Sequence, residues 1–182
     1  LFNSLNSIQS LMQFDTDKAS QMITMLADFL RGSVQKDSSQ LRNLSEELNH
    51  LKLYLDIETI RFEDRLKINI VNHTEIESLV PALILQPLVE NAIKYGLYGT
   101  IGHIQISISF KLENSILSIE ISNPYDVDAI KSRQGTGFGL SSVARRLHLI
   151  YSRNDLLQIK NENGSFHVTL RIPQINDTSR SN

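Results

Sequence analysis

Two clusters in this chain have residue types and spacing suited to handling a charged ligand. The first is Glu90-Asn91-Ala92-Ile93-Lys94-Tyr95-Gly96. On a helix, Asn91, Lys94 and Tyr95 fall at i, i+3 and i+4 and share one face, while Leu88, Val89, Ala92 and Ile93 supply the buried side. An amide oxygen is a hard ligand suited to Mg²⁺, and an ammonium is a point charge suited to phosphate. An ordinary amphipathic helix with a solvated polar face carries the same pattern, so this cluster alone does not decide. The second cluster is Gly135-Thr136-Gly137-Phe138-Gly139-Leu140, running into a predicted helix. Alternate glycines let backbone approach phosphate closely, and a helix start offers free N–H groups and the positive end of the dipole. Flexible surface loops also collect glycine. The spacing matches neither G-x-G-x-x-G nor G-x-x-x-x-G-K, which disfavours the nucleotide folds those motifs mark.

The elements that must position these clusters read as two unlike halves. From Leu1 to about Gly32, apolar residues recur at helical spacing (Leu1, Leu5, Ile8, Leu11 and Met12, then Met22, Ile23, Leu26, Phe29 and Leu30), giving one or two stacked helices. Asp15-Thr16-Asp17-Lys18 carries the signature of a second start, with Asp at the cap. After a polar break from Val34 to Gln40, Ser45-Glu46-Glu47-Leu48 opens a long helix to about Phe62, striped by Leu44, Leu48, Leu51 and Leu55 and widened by Ile57 and Ile60. Long helices on a short connection make an antiparallel hairpin, and a stripe on each implies a partner, most simply a second copy forming a four-helix bundle.

After Arg65 the period becomes alternating, with Leu66, Ile68 and Ile70 facing one way. Pro87 to Tyr95 then reads as a helix stopped by Gly96. Strands follow at about 103–111 and 115–122, joined at Glu113 and Asn114. A loop from Asn123 to Gly137 leads to a helix from Gly139 to Tyr151. Two last strands, near 156–160 and 165–172, flank the hairpin turn Asn163-Gly164. The order predicts an α/β sandwich with a mixed sheet and helices on one face. A polar tail, 177–182, reads as disordered.

Composition narrows the functions. In 182 residues, 41% are hydrophobic and 21% charged, as in soluble globular chains. Lys and Arg number 18 against 20 Asp and Glu, a net charge of −2, which argues against direct nucleic-acid binding. Without Cys there is no disulfide framework, thiolate metal site or cysteine nucleophile. No apolar run approaches the roughly 20 residues of a membrane span. The sequence opens on Leu-Phe-Asn-Ser, without initiator Met or the features of a signal peptide, and is read as a fragment.

Taken together, Asn91 on one helix and a triple-glycine loop about 45 residues later, with two strands between, resemble the GHKL (Bergerat) ATPase fold. More specifically, the chain resembles the LytS-type sensor histidine kinases from Leu1 to about Pro173. The resemblance rests on Leu1-Phe2-Asn3-Ser4-Leu5-Asn6-Ser7-Ile8, on Tyr54-Leu55-Asp56-Ile57-Glu58 with Arg61-Phe62, on Leu85-Gln86-Pro87-Leu88-Val89-Glu90-Asn91-Ala92, on the glycine loop, and on Arg145-Arg146-Leu147. It implies an α+β chain with a dimerising helical hairpin at 1–65 and an ATP-binding catalytic domain at 66–176. It further implies that Asn91 coordinates Mg²⁺ as the N-box residue, with Lys94 near the phosphates and Tyr95 near the nucleoside. Gly135, Thr136, Gly137, Phe138, Gly139 and Leu140 correspond to the G2 box that hinges the ATP lid, and Ser165 to a small hydroxyl residue near the adenine. Glu90 is either a polar partner at the Mg²⁺ site or the i+4 partner of Lys94.

The chain departs from the family's pattern at two places. The phosphoacceptor lies in a His-Phe-Leu-Phe-Asn run, of which this sequence begins at the Leu, so the resemblance puts the acceptor two residues before Leu1. None of His50, His73, His103, His148 and His167 occupies that motif; each reads as a surface or structural imidazole, and His50 alone lies on the hairpin. The G1 box, Asp-x-Gly-x-Gly, is here Asn123-Pro124-Tyr125-Asp126-Val127. Asn123 keeps an acceptor oxygen for the adenine amino group but loses the charge, a change of about 1–2 kcal/mol.

The expected function is a two-component histidine kinase core that binds ATP-Mg²⁺, phosphorylates that upstream His, and passes the phosphoryl group to a response regulator. The setting expected is the cytoplasmic part of an inner-membrane bacterial sensor, attached only through upstream segments. The alternative is a dimeric GHKL-fold signalling module with weak or no catalysis. A gyrase- or MutL-type ATPase is disfavoured, since Pro87 stands where those enzymes carry a Glu base.

Overall fold

The computed structural model describes residues 2–34, 40–74, 77–97, 102–125 and 138–174. Helix α1 (Phe2–Phe14) and helix α2 (Thr16–Val34) meet at Asp15. The Asp15 carboxylate accepts the Lys18 backbone N–H at 3.0 Å, which makes it the N-cap of α2 as the sequence predicts. Strand β1 (Leu41–Asn43) leads into α3 (Leu44–Phe62), and a single 3₁₀ turn (Glu63–Arg65) into β2 (Leu66–Asn72). Strand β3 (Leu79–Pro81) pairs antiparallel with β1. These three-residue strands escape sequence reading because neither is long enough to show a period. Their pairing brings Ser78 and Glu77 to the start of α3, where the Ser78 carbonyl accepts from Leu44 N–H at 2.7 Å and the Glu77 carboxylate from Ser45 N–H at 3.0 Å.

Helix α4 (Leu85–Leu97) is followed by β4 (Ile104–Glu113), β5 (Ile116–Pro124), α5 (Phe138–Tyr151), β6 (Leu157–Glu162) and β7 (Ser165–Pro173). The main sheet has five strands in the order β2-β4-β5-β7-β6, parallel between β2 and β4 and antiparallel elsewhere. It is the mixed sheet expected. Asn163 and Gly164 both have positive φ, as a two-residue hairpin turn requires. The β4–β5 turn sits one residue later than predicted, on Asn114 and Ser115, because Glu113 still pairs with Ile116.

Gly96 does not stop α4, which runs to Leu97. Its lack of a side chain serves packing instead: a Cβ there would lie 2.9 Å from Ile104 Cδ1 and 3.5 Å from Asn123 Cβ. Pro87 lies in the first turn, where its missing N–H costs nothing.

The alternating apolar residues of β4, β5 and β7 form one face of the main core, covered by α4 and α5. Helix α3 contributes to it too. Leu44, Leu51 and Leu55 are buried with the sheet and α4, whereas Ile57 joins Ile8, Met22, Leu26 and Phe29 in a second core between the N-terminal helices. The stripe that by pattern alone needs a second chain is therefore covered within this one. The apolar side chains left exposed at the N-terminal end are on α1 and α2: Phe2, Leu5, Met12, Phe14, Ile23 and Leu30.

Candidate functional site

Helix α4 is held at its N-terminus by a carboxylate from another helix. Glu47 of α3 is 1% exposed and accepts the N–H groups of Leu83 (2.9 Å) and Leu85 (3.0 Å). Leu83 has φ 59°, a left-handed conformation unusual for a non-glycine residue. Arg42 of β1 pairs with the same carboxylate, and Arg146 of α5 donates to the Ala82 carbonyl. Burial lowers the pKa of both guanidinium groups, and for Arg42 the nearby Arg146 adds to the effect. Glu47 thus already occupies the positive end of α4, which closes that terminus to an incoming anion. The starts of α4 and α5 are adjacent: a Cβ on Gly139 would lie 3.9 Å from the Pro87 carbonyl oxygen.

Two polar side chains between the helices and the sheet have buried atoms without hydrogen-bond partners among the described residues. Asn91, in the middle of α4, has its Nδ2 buried and unpartnered. Asn123, at the end of β5, is 2% exposed; its Nδ2 donates to the Pro124 carbonyl at 2.7 Å, while its Oδ1 is buried and lacks a donor. Buried polar atoms are nearly always paired, so such orphans mark places where a ligand group fits. Gly96 allows the close approach, since its missing Cβ would lie 3.6 Å from Asn123 Nδ2. Ser165 starts β7 directly opposite Pro124, and Asn123 opposes Phe166, whose ring stacks on Tyr125 at 5.6 Å. The structure thus puts Asn123, with Ser165 next to it across the β5–β7 ladder, beside Gly96 near the C-terminal end of α4, and Gly139 beside Pro87 in its first turn, with Asn91 between the two on the same helix. Gly135, Thr136, Gly137 and the Phe138 side chain lie outside the described residues, as does the 177–182 tail.

Lys94 and Glu90 face a different neighbour. With Asn3 of α1 and Tyr54, Glu58 and Arg61 of α3 they line a cleft of about 530 Å³. Glu90 accepts from Gln86 Nε2 at 2.7 Å, and the Lys94 ammonium lies 5.2 Å from the Tyr95 ring. Across the cleft, both carboxylate oxygens of Glu58 are 2.8 Å from Arg61 Nη1. Glu58 is 3% exposed, and burial raises its pKa even against the attraction of Arg61. Burial likewise raises the Tyr54 phenol. Glu58 and Arg61 belong to a motif quoted above only for resemblance; the signal that could have singled them out is an acid and a base at i, i+3 on the buried side of a helix.

His50 is structural, as expected for the imidazoles. It is 4% exposed, stacks on Phe29 at 4.9 Å and lies 3.4 Å from the Ser33 hydroxyl.

Among known proteins, a family profile described as histidine kinase matches residues 1–66. The chain is 33% identical over 175 residues to sensor histidine kinase BtsS of Escherichia coli K12, covering 95% of this chain and 31% of the relative. It is 29% identical over 187 residues to sensor protein LytS of Staphylococcus saprophyticus, covering 96% of this chain and 32% of the relative. The chain therefore spans about a third of the length of these relatives. The catalytic domain of histidine kinase ThkA superposes with a TM-score of 0.56 at 14% identity, over 74% of this chain and 95% of that one. At that identity the match speaks to fold, and the mixed sheet with its helices is that of histidine kinase catalytic domains.

Proposed function

The chain is a homologue of the LytS- and BtsS-type sensor histidine kinases along nearly its whole length, and from that premise we propose that it is the ATP-binding kinase core of a two-component sensor. The observation that carries the reading is the orphaned acceptor Asn123 Oδ1, buried beside Gly96 of the helix that also carries Asn91. An adenine amino group is a donor of the kind that oxygen lacks. Asn91 would hold Mg²⁺ through its amide oxygen, and the α5 terminus with Gly135, Thr136, Gly137, Phe138 and Gly139 would take the phosphates. When bound, Mg²⁺ neutralises the charge that develops on the phosphate oxygens.

The acceptor is the His that the family pattern puts two residues before Leu1. That position is four residues before Asn3, which lines the cleft containing Lys94. The exposed apolar residues of α1 and α2 support a homodimer through the N-terminal helices. A response-regulator receiver domain is the expected recipient of the phosphoryl group. Among the described residues no helix is long and apolar enough to cross a membrane, and membrane attachment is assigned to segments upstream.

The test is a titration of this chain with ATP and Mg²⁺ beside Asn91→Ala, together with γ-labelled ATP on the protein carrying its upstream residues. The expected result is saturable binding lost in the variant and labelling that an upstream His accounts for. No binding to either form at millimolar nucleotide would favour a non-catalytic module.

A further inference from the structure

We propose that Glu58, held by Arg61 across the cleft from Lys94, is the carboxylate that orients the acceptor imidazole and takes its proton during phosphoryl transfer. This rests on the kinase reading above. A neutral imidazole presents one nitrogen as N–H and the other as a lone pair, and the partner of the N–H decides which is which. The cleft is the candidate place for that partner, because Asn3, four residues after the acceptor position, lines it together with Glu58, Arg61, Glu90 and Lys94. Of its two carboxylates, Glu90 is exposed and already accepts from Gln86. Glu58 is buried and fixed by two 2.8 Å contacts to a single Arg61 nitrogen, which leaves each oxygen a second lone pair. A fixed, desolvated carboxylate is better suited to orienting a ring than a mobile exposed one.

The step balances without a further reactant. Glu58 accepts the hydrogen bond from Nδ1–H. The Nε2 lone pair forms the bond to the γ-phosphorus, the bond from that phosphorus to the β–γ bridging oxygen breaks, and its electron pair leaves with ADP. The Nδ1 proton of the resulting phosphoimidazolium passes to Glu58, leaving a neutral phosphoimidazole. Lys94, on the facing helix, lines the same cleft and would supply positive charge to the arriving phosphate. Tyr54, between the helices, closes the apolar side of the cleft.

The experiment uses the protein extended through its native upstream segment. Glu58→Gln is expected to lower kcat for labelling by about 100-fold or more while leaving KM for ATP-Mg²⁺ unchanged, and Glu58→Asp to recover part of the loss. Glu90→Gln is expected to retain more activity than Glu58→Gln. Independently of nucleotide, nitrogen NMR of the wild-type protein should find the neutral acceptor imidazole protonated on Nδ1, and the Gln variant should lose that tautomer's dominance. The NMR measurement on wild type keeps the test open if the variant fails to fold. Unchanged kcat in Glu58→Gln, or an acceptor proton on Nε2 in wild type, overturns the proposal. Absence of any wild-type labelling instead counts against the kinase reading, and leaves the tautomer as a separate result.

Discussion

The Glu47 carboxylate on α3 accepts the backbone N–H of Leu85, the first residue of α4, at 3.0 Å. A side chain remote in sequence thereby caps the helix that carries Asn91, and the same carboxylate neutralises the buried Arg42. Removing it strands a buried cation and two backbone donors together. Glu47→Ala should cost about 3–5 kcal/mol of stability, measured as a shift in the urea unfolding curve. A loss under about 1 kcal/mol would mean that water reaches Arg42 and replaces the pair.

Asn123 separates ligand recognition from stability. Its Oδ1 has no protein donor among the described residues, so replacing the residue with Leu removes an unsatisfied acceptor along with one bond to Pro124. Asn123→Leu should weaken ATP binding by about ten-fold while changing unfolding free energy by about 1 kcal/mol or less. Calorimetric titration and denaturant unfolding on the same preparation check both. Equal ATP affinity in the two proteins would remove Asn123 from the nucleotide site.

Gly96 is a point of close approach between α4 and the sheet. A valine there must displace Ile104 and crowd Asn123, since even a Cβ falls 2.9 Å from Ile104 Cδ1. Gly96→Val should destabilise by about 2 kcal/mol, within the ordinary range for overpacking, and should lower ATP affinity through Asn123. Differential thermal unfolding with and without ATP distinguishes the two effects: a normal ligand-induced shift in the variant would show that Asn123 has kept its position.

His50 should carry no phosphoryl group. Stacked on Phe29 and 4% exposed, it presents no nitrogen to an incoming phosphate. His50→Ala should cost about 1–3 kcal/mol through the lost stack and the space left behind. Peptide mapping of labelled protein should place no phosphate on His50, and phosphate found there would reverse the assignment.

The halves of the chain differed in how far their sequence could be read. Strands β4, β5 and β7 bury alternate residues such as Ile104, Ile106 and Ile108, so period 2 identified them directly. Asn163-Gly164 located a turn because a two-residue hairpin needs positive φ twice. The motif reading groups Lys94 with Asn91 on one face, but Lys94 lines the α3 cleft, a direction that depends on where α3 packs. Glu47 and Arg42 are invisible as a pair in the sequence, because charged residues are ordinarily solvated and nothing local marks these as buried. Gly96 was read as a stop because propensity speaks only of the helix itself; the requirement at that position comes from Ile104 and Asn123 across the interface.

Helix α3 is one shaft seated in two bearings. Leu44, Leu51 and Leu55 turn in the sandwich core, and Ile57 in the core of the N-terminal helices. A cut at Leu66 would leave the sheet-bearing half with three vacant leucine sockets, each of the kind whose emptying costs about 2–5 kcal/mol, so the smallest piece expected to fold by itself begins before Leu41. The same seating makes α3 a single rigid link from the N-terminal core to Glu47, whose carboxylate holds the first turn of the helix bearing Asn91.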